Sequence, residues 1–252
     1  MRMLRLPLAA LIPALPLALW HTPQAAPQAV RGAELAGIVR RVAGNEMKLR
    51  LARDNYTYRQ TFEFNDGAGV YLAVTDVTFT PEGKRIEKPV RRPVDTLRRI
   101  KLTEEDFRDL VQVQPFVLDP EDLWNYEVTY MAEQAVAGLP ALMLRVRPRQ
   151  VLATQRLFDG VIWVSKDSLQ VLQTEGKAVP NIYRKGQENL FPHFTTIRAR
   201  VTGPDGTEHW FPSLTYADDV LPFKTGPQRV RFTIRFEEYK RFSADSSVTY
   251  QR

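Results

Sequence analysis

Cysteine is absent from all 252 residues. That removes disulfides, thiol nucleophiles and thiolate metal sites. It also removes the lipid that a bacterial lipoprotein carries on the cysteine after its leader. A chain of this length can bury enough core to fold without cross-links. Histidine is nearly as scarce, and beyond the N-terminal segment only His193 and His209 remain. They lie on what read as paired strands and can approach each other, but no third ligand type stands nearby for zinc. Packing of His193 beside Phe191 and Phe194 is the plainer expectation. There is no G-x-S-x-G elbow and no glycine-rich phosphate loop before a helix. Neither serine-triad hydrolysis nor nucleotide chemistry is therefore supported.

What the chain does have begins with its first 29 residues. Arg2 and Arg5 form a basic start, Leu6 to Leu19 is an almost unbroken apolar run, and Trp20 to Ala29 turns small and polar. This order is that of a secretory signal peptide. The apolar run is shorter than the roughly 20 residues that span a bilayer. Pro7, Pro13 and Pro16 would also disturb a spanning helix. A leader cleaved near Ala25, Ala26 or Ala29 is expected, with an uncleaved anchor as the alternative. The chain is then expected to be exported. The remaining residues, 30–252, read as one domain, and the 44% hydrophobic content of the whole chain is that of a globular protein.

Residues 34 to 45 carry Leu35, Ile38, Val39 and Val42 on one helical face, and Gly44 can end that helix. From Tyr56 the period becomes two. Tyr56, Tyr58, Phe62 and Phe64 share one strand face, Asn65-Asp66-Gly67 makes a turn, and Val70 to Thr80 returns. Residues 84 to 126 are the least sheet-like. Thr103 with Asp106 forms a capping box that opens a brief helix through Phe107 and Leu110. Asp119-Pro120 reads as a second helix start. Strands then resume at 126–132, 141–147, 155–164, 169–174, 194–201, 209–216 and 230–239. The expected fold is mainly β (α+β): a curved antiparallel half-barrel sheet, covered by an N-terminal amphipathic helix and short inserted helices.

Chemistry is harder to find than architecture. Asp218-Asp219 is the most suggestive acidic pair, yet neighbours on a strand point to opposite faces and in a turn are simply solvated. The cations Arg91, Arg92, Arg98, Arg99 and Lys101 have no interleaved aromatics. Nucleic acid is therefore not an expected partner. A solvated loop is the default for this cluster, and contact with an anionic membrane surface or an acidic protein is the functional alternative. The net charge of +6 is a modest excess. The candidate ligand-binding residues are the inward aromatics and aliphatics: Tyr56, Tyr58, Phe62, Phe64, Tyr130, Leu142, Leu144, Trp163, Phe232, Ile234 and Phe236. They line the hollow of the sheet and take a lipophilic molecule if helices do not fill it. If side chains do fill it, the same residues are core. No catalytic residue, metal ligand or cofactor is assigned.

The segment from Gly160 through Trp163 and Asp167-Ser168 to Leu172 resembles the Trp-containing hairpin of the outer-membrane lipoprotein-sorting superfamily. Glu188 to Arg198, with His209-Trp210-Phe211-Pro212 after it, resembles the hairpin pair that follows. The likeness extends to exported bacterial proteins related to that superfamily. It implies a helix-covered half-barrel that carries lipid or lipidated protein in the periplasm, without catalysis. This chain departs in its long insertion around residues 81–125, and no aligned motif identifies which residue would correspond to the carrier's functional arginine. An envelope protein-interaction module with a self-filled core is the second expectation. An envelope hydrolase using Asp218, Asp219 or His193 is the third.

Overall fold

A computed structural model describes residues 30–107, 118–152, 156–184 and 187–242. The expected leader and the expected helix beyond Phe107 lie outside them. The chain enters through helix α1 (Gly32–Arg53), then forms the hairpin β1 (Tyr56–Asn65) and β2 (Val70–Phe79). Two short strands, β3 (Arg85–Pro89) and β4 (Val94–Asp95), both pair with β2. A 3-10 turn (Leu123–Asn125) leads into β5 (Tyr126–Val136), β6 (Leu139–Pro148), β7 (Leu157–Ser165) and β8 (Val171–Val179). A separate small hairpin, β9 (Ile182–Arg184) and β10 (Gln187–Asn189), precedes three long strands: β11 (Phe194–Thr202), β12 (Glu208–Phe223) and β13 (Gly226–Arg241).

One antiparallel sheet takes up all the strands except β9 and β10, in the order β3-β2-β1-β13-β12-β11-β8-β7-β6-β5, and it is curved and unclosed. The order follows chain neighbours except at two joins, where β1 meets β13 and β8 meets β11. The register shifts at Thr57/Arg59, Tyr130/Ala132, Trp163/Val164 and Ile197/Arg198, and where such a shift is a bulge it bends the sheet and raises its twist. A glycine pair lets β7 and β8 approach closely. Gly160 is opposite Gly176, and a Cβ on either would fall within 2.9 Å of the other's Cα and of the Phe158 ring.

Helix α1 lies on the inner face of this sheet. Its Ile38 and Val42 join Phe62, Phe64, Leu144, Ile162, Phe194, Phe232 and Ile234 in the main core, and its Leu49 packs with Tyr56 and Phe211. The helix does not end at Gly44, contrary to the sequence expectation. It continues to Arg53 because the next turns find partners: Glu46 and Leu49 are both buried against the sheet. Asp119 also departs from expectation. Its carboxylate accepts the Glu121 N–H at 3.2 Å, but only a turn and the 3-10 segment follow, not an α-helix. The region that looked least sheet-like does contribute two short edge strands. Thr103 and Asp106 form the expected reciprocal box: Asp106 accepts the Thr103 N–H at 2.7 Å, and Thr103 Oγ1 accepts the Asp106 N–H at 3.2 Å.

Candidate functional site

The site begins with a turn. In Asn65-Asp66-Gly67 the Asn65 side chain accepts the Gly67 N–H at 2.7 Å, the usual local role of asparagine in turns. Asp66 does much more. It is fully buried. One carboxylate oxygen accepts the N–H groups of Ala68 and Gly69 at 2.9 and 2.8 Å. The other accepts those of Arg98, Arg99 and Ile100 at 2.9, 2.7 and 3.2 Å. Burial opposes its charge, and the amides of Arg99, Ala68, Arg98 and Gly69 overcome that, holding the carboxyl well below the usual aspartate range. Asp66 thus ties the β1–β2 turn to the segment 98–100. Glycine at 69 permits the approach, because a Cβ there would sit 1.9 Å from the Thr96 carbonyl oxygen.

Fastened in this way, residues 99–102 form one wall of a cavity of about 520 Å³. Ile100 and Leu102 supply apolar surface on that side. Across from them lie Leu190, Phe191 and Pro192, and the β12–β13 hairpin contributes Leu221, Phe223 and Phe232. Phe64 from β1 completes the lining. Phe64, Leu190, Phe191, Leu221 and Phe232 are all buried, so the floor of this cavity borders the core. Its rim carries the exposed cations Arg99, Lys101 and Lys224. Two carboxylates also face it and are engaged by hydrogen bonds: Asp106 in the capping box, and Glu188 accepting the Lys224 N–H at 3.0 and 3.1 Å. A second hollow of about 270 Å³ lies on the same sheet face, lined by Phe62, Tyr71, Phe107 and Ile234 among others. Phe107 stands edge-on to Phe62 at 6.0 Å and tilted against Tyr71 at 5.3 Å, so the inserted segment covers this hollow too.

The residues expected to bind ligand are therefore divided. Phe64 and Phe232 line the larger cavity, and Phe62 and Ile234 line the smaller. Leu142 and Leu144 are in the packed core, with Tyr130 against it. Tyr56 and Tyr58 pack in two neighbouring clusters, with Phe236 beside Tyr58 and the main core. Trp163 is on the other face of the sheet. It pairs in register with Met143, between Leu142 and Leu144, and clusters with Ala141, Leu172 and Trp210. Alternation along β6 and β7 makes this unavoidable. The lining from Ile100, Leu102, Leu221 and Phe223 was not anticipated. Its faint signal is that Leu97, Ile100 and Leu102 interrupt the basic run.

The acidic pair is on a strand and not in a turn, because β12 runs on to Phe223. Asp218 points outward to Arg229, at 2.7 and 2.8 Å, and to Arg231 at 3.1 Å. Asp219 accepts the His193 N–H at 3.0 Å. The two carboxylates do not form a dyad. His193 and His209 are at opposite ends of the β11–β12 pair, since His209 is in register with Val201 and Phe194 with Ala217. About eight residues of strand separate them, roughly 25 Å. His209 instead stacks on Phe211 at 5.2 Å. No group of three potential metal-ligating side chains occurs among the described residues.

No protein-family model and no curated protein matches this chain. Solved structures are similar to it. One is a DUF1329 family protein from Desulfovibrio piger, 15% identical over 84% of this chain and 94% of that one, with a TM-score of 0.44. A domain named as an outer membrane lipoprotein-sorting protein, from Vibrio parahaemolyticus, is 11% identical over 81% and 93%, at 0.37. A LolA superfamily protein from Nitrosomonas europaea is 9% identical over 84% and 97%, at 0.36. The likeness is one of outline, and the site rests on this chain's own residues.

Proposed function

We propose that this chain is a non-catalytic, exported binding protein that holds a lipid, an acyl chain or another lipophilic molecule in the larger cavity. One observation carries the reading. A cavity of about 520 Å³, walled by apolar side chains and edged by charged ones, falls within the size range of small-molecule sites, and buried Phe64, Leu221 and Phe232 border it without filling it. Transfer of an acyl chain into such a lining contributes about 0.8 kcal/mol per CH₂ before the costs of ordering. Residues 1–29 serve as a cleaved leader in this reading, and residues 30–252 act as one periplasmic domain. The site residues proposed are Phe64, Phe232, Leu221, Leu190, Ile100 and Leu102.

The test is binding of a fluorescent fatty-acid probe, with native mass spectrometry of the purified protein for retained lipid. Probe binding that weakens about tenfold or more in Leu221→Trp, a substitution that fills the cavity, supports the reading. Clean spectra and no probe binding by the unaltered chain overturn it. A second reading also has an observation behind it. Beneath α1 the concavity is occupied by the chain's own Leu144, Ile162 and Phe194, each at most 1% exposed. A protein-interaction module with a self-filled core is favoured there if crosslinking recovers a protein partner and no lipid is retained.

A further inference from the structure

The cavity wall belongs to a longer segment with a charge of its own. Residues 84–101 contain eight lysines and arginines against Glu87 and Asp95. The excess equals the formal net charge of the entire chain, +6. Both acids are already engaged. Glu87 pairs with Arg85, and Asp95 accepts the Leu97 N–H at 3.1 Å. Lys88, Arg91, Arg92, Arg98, Arg99 and Lys101 are exposed and have no ion pair among the described residues.

Position adds to the charge. The segment forms the outer edge of the sheet through β3 and β4, and then runs directly into the wall at 99–102. Ile86, Val90 and Val94 are interleaved with the cations and are 46–47% exposed, apolar surface that water does not favour. Cations mixed with exposed aliphatics fit an interface where anionic headgroups meet hydrocarbon. The tie at Asp66 holds residues 98–100, the end of this segment, beside the cavity.

We propose that residues 84–101 dock the protein on an anionic phospholipid surface, with the cavity mouth turned toward the bilayer. This rests on the lipid-binding reading for its purpose but not for its measurement. The experiment is cosedimentation with phosphatidylcholine vesicles and with vesicles that also contain phosphatidylglycerol, at low and high salt. Binding is expected to the anionic vesicles alone, and to be lost at high salt. The triple substitution Lys88→Glu, Arg91→Glu, Arg92→Glu touches no cavity residue. It should reduce partition about tenfold or more, while the thermal melt and fatty-acid probe affinity stay unchanged. Absence of binding to anionic vesicles overturns the proposal even if the probe binds, as does equal binding by the charge-reversed variant. Capture by polyglutamate with no vesicle binding also overturns it, in favour of an acidic protein partner.

Discussion

Asp66 shows how one side chain fixes the wall of a cavity that it does not itself line. Its carboxylate accepts five backbone N–H groups from two segments. Asp66→Ala leaves those amides without their acceptor and should cost about 1–3 kcal/mol in a urea melt. It should also weaken probe binding, because the wall at 99–102 loses its tie. The pH dependence follows from the lowered carboxyl. Unfolded aspartate titrates near 3.9 (about 4), so the contribution is complete above that pH and is lost as pH falls toward the folded-state value. His209 acts with the same sign at higher pH. Burial and then Arg241 lower its pKa, with Asp205 opposing, so the fold favours the neutral ring. Stability should decline as pH falls below about 6.5. In His209→Gln the decline below about pH 6.5 should flatten, and an unchanged slope would refute this assignment. Gly176→Ala places a Cβ 2.5 Å from the Asp159 carbonyl oxygen. A loss of about 1–3 kcal/mol is expected from such overpacking.

At the level of elements, α1 is held by a charge pair as well as by its apolar stripe. Arg198 on β11 donates two hydrogen bonds of 2.6 Å to Glu46, and both side chains are 1% exposed. Glu46 occupies the stripe of Ile38, Val42 and Leu49, where a charge interrupts the apolar pattern. Removing one partner strands the other in a low-dielectric interior. Glu46→Ala or Arg198→Ala should each cost about 3–5 kcal/mol. Replacing both together by Glu46→Leu and Arg198→Met should cost far less, because desolvation of the pair disappears along with its attraction. A thermal double-mutant cycle measures this, and additive losses would count against the pairing. The β12–β13 hairpin is the other decisive element. Its extension to Phe223 carries Leu221 and Phe223 beyond the expected strand end and into the cavity wall.

Across the molecule, an open curved sheet packs against α1 and leaves hollows beside residues 99–102 and Phe107. Residues 84–107 border these hollows and concentrate the chain's positive charge. Core, cavity and charged edge therefore meet along residues 99–102. The two proposals can be separated because the cavity and the edge are altered by different substitutions.

Strand alternation and turn residues were legible in the sequence because they are local. The period of two from Tyr56 to Phe64, the Asn65-Asp66-Gly67 turn and the Thr103–Asp106 box all depend on near neighbours. The same local rule puts Trp163 and Leu144 on opposite faces once their register is known. Register, and the joins of β1 to β13 and β8 to β11, depend on residues far apart in the chain. So do the burial of Glu46 beside Arg198 and the convergence of Asp66 with residues 98–100. A charged residue in a helix reads as solvated until its partner is known, and an aspartate in a turn reads as a turn residue until a distant segment donates to it. The sequence by itself determined the long strands and the alternation within each, but not the edge strands β3 and β4 or the face of Trp163. Only the tertiary structure decided which apolar faces fill the core and which remain as a cavity, because that depends on how far long-range packing closes the sheet.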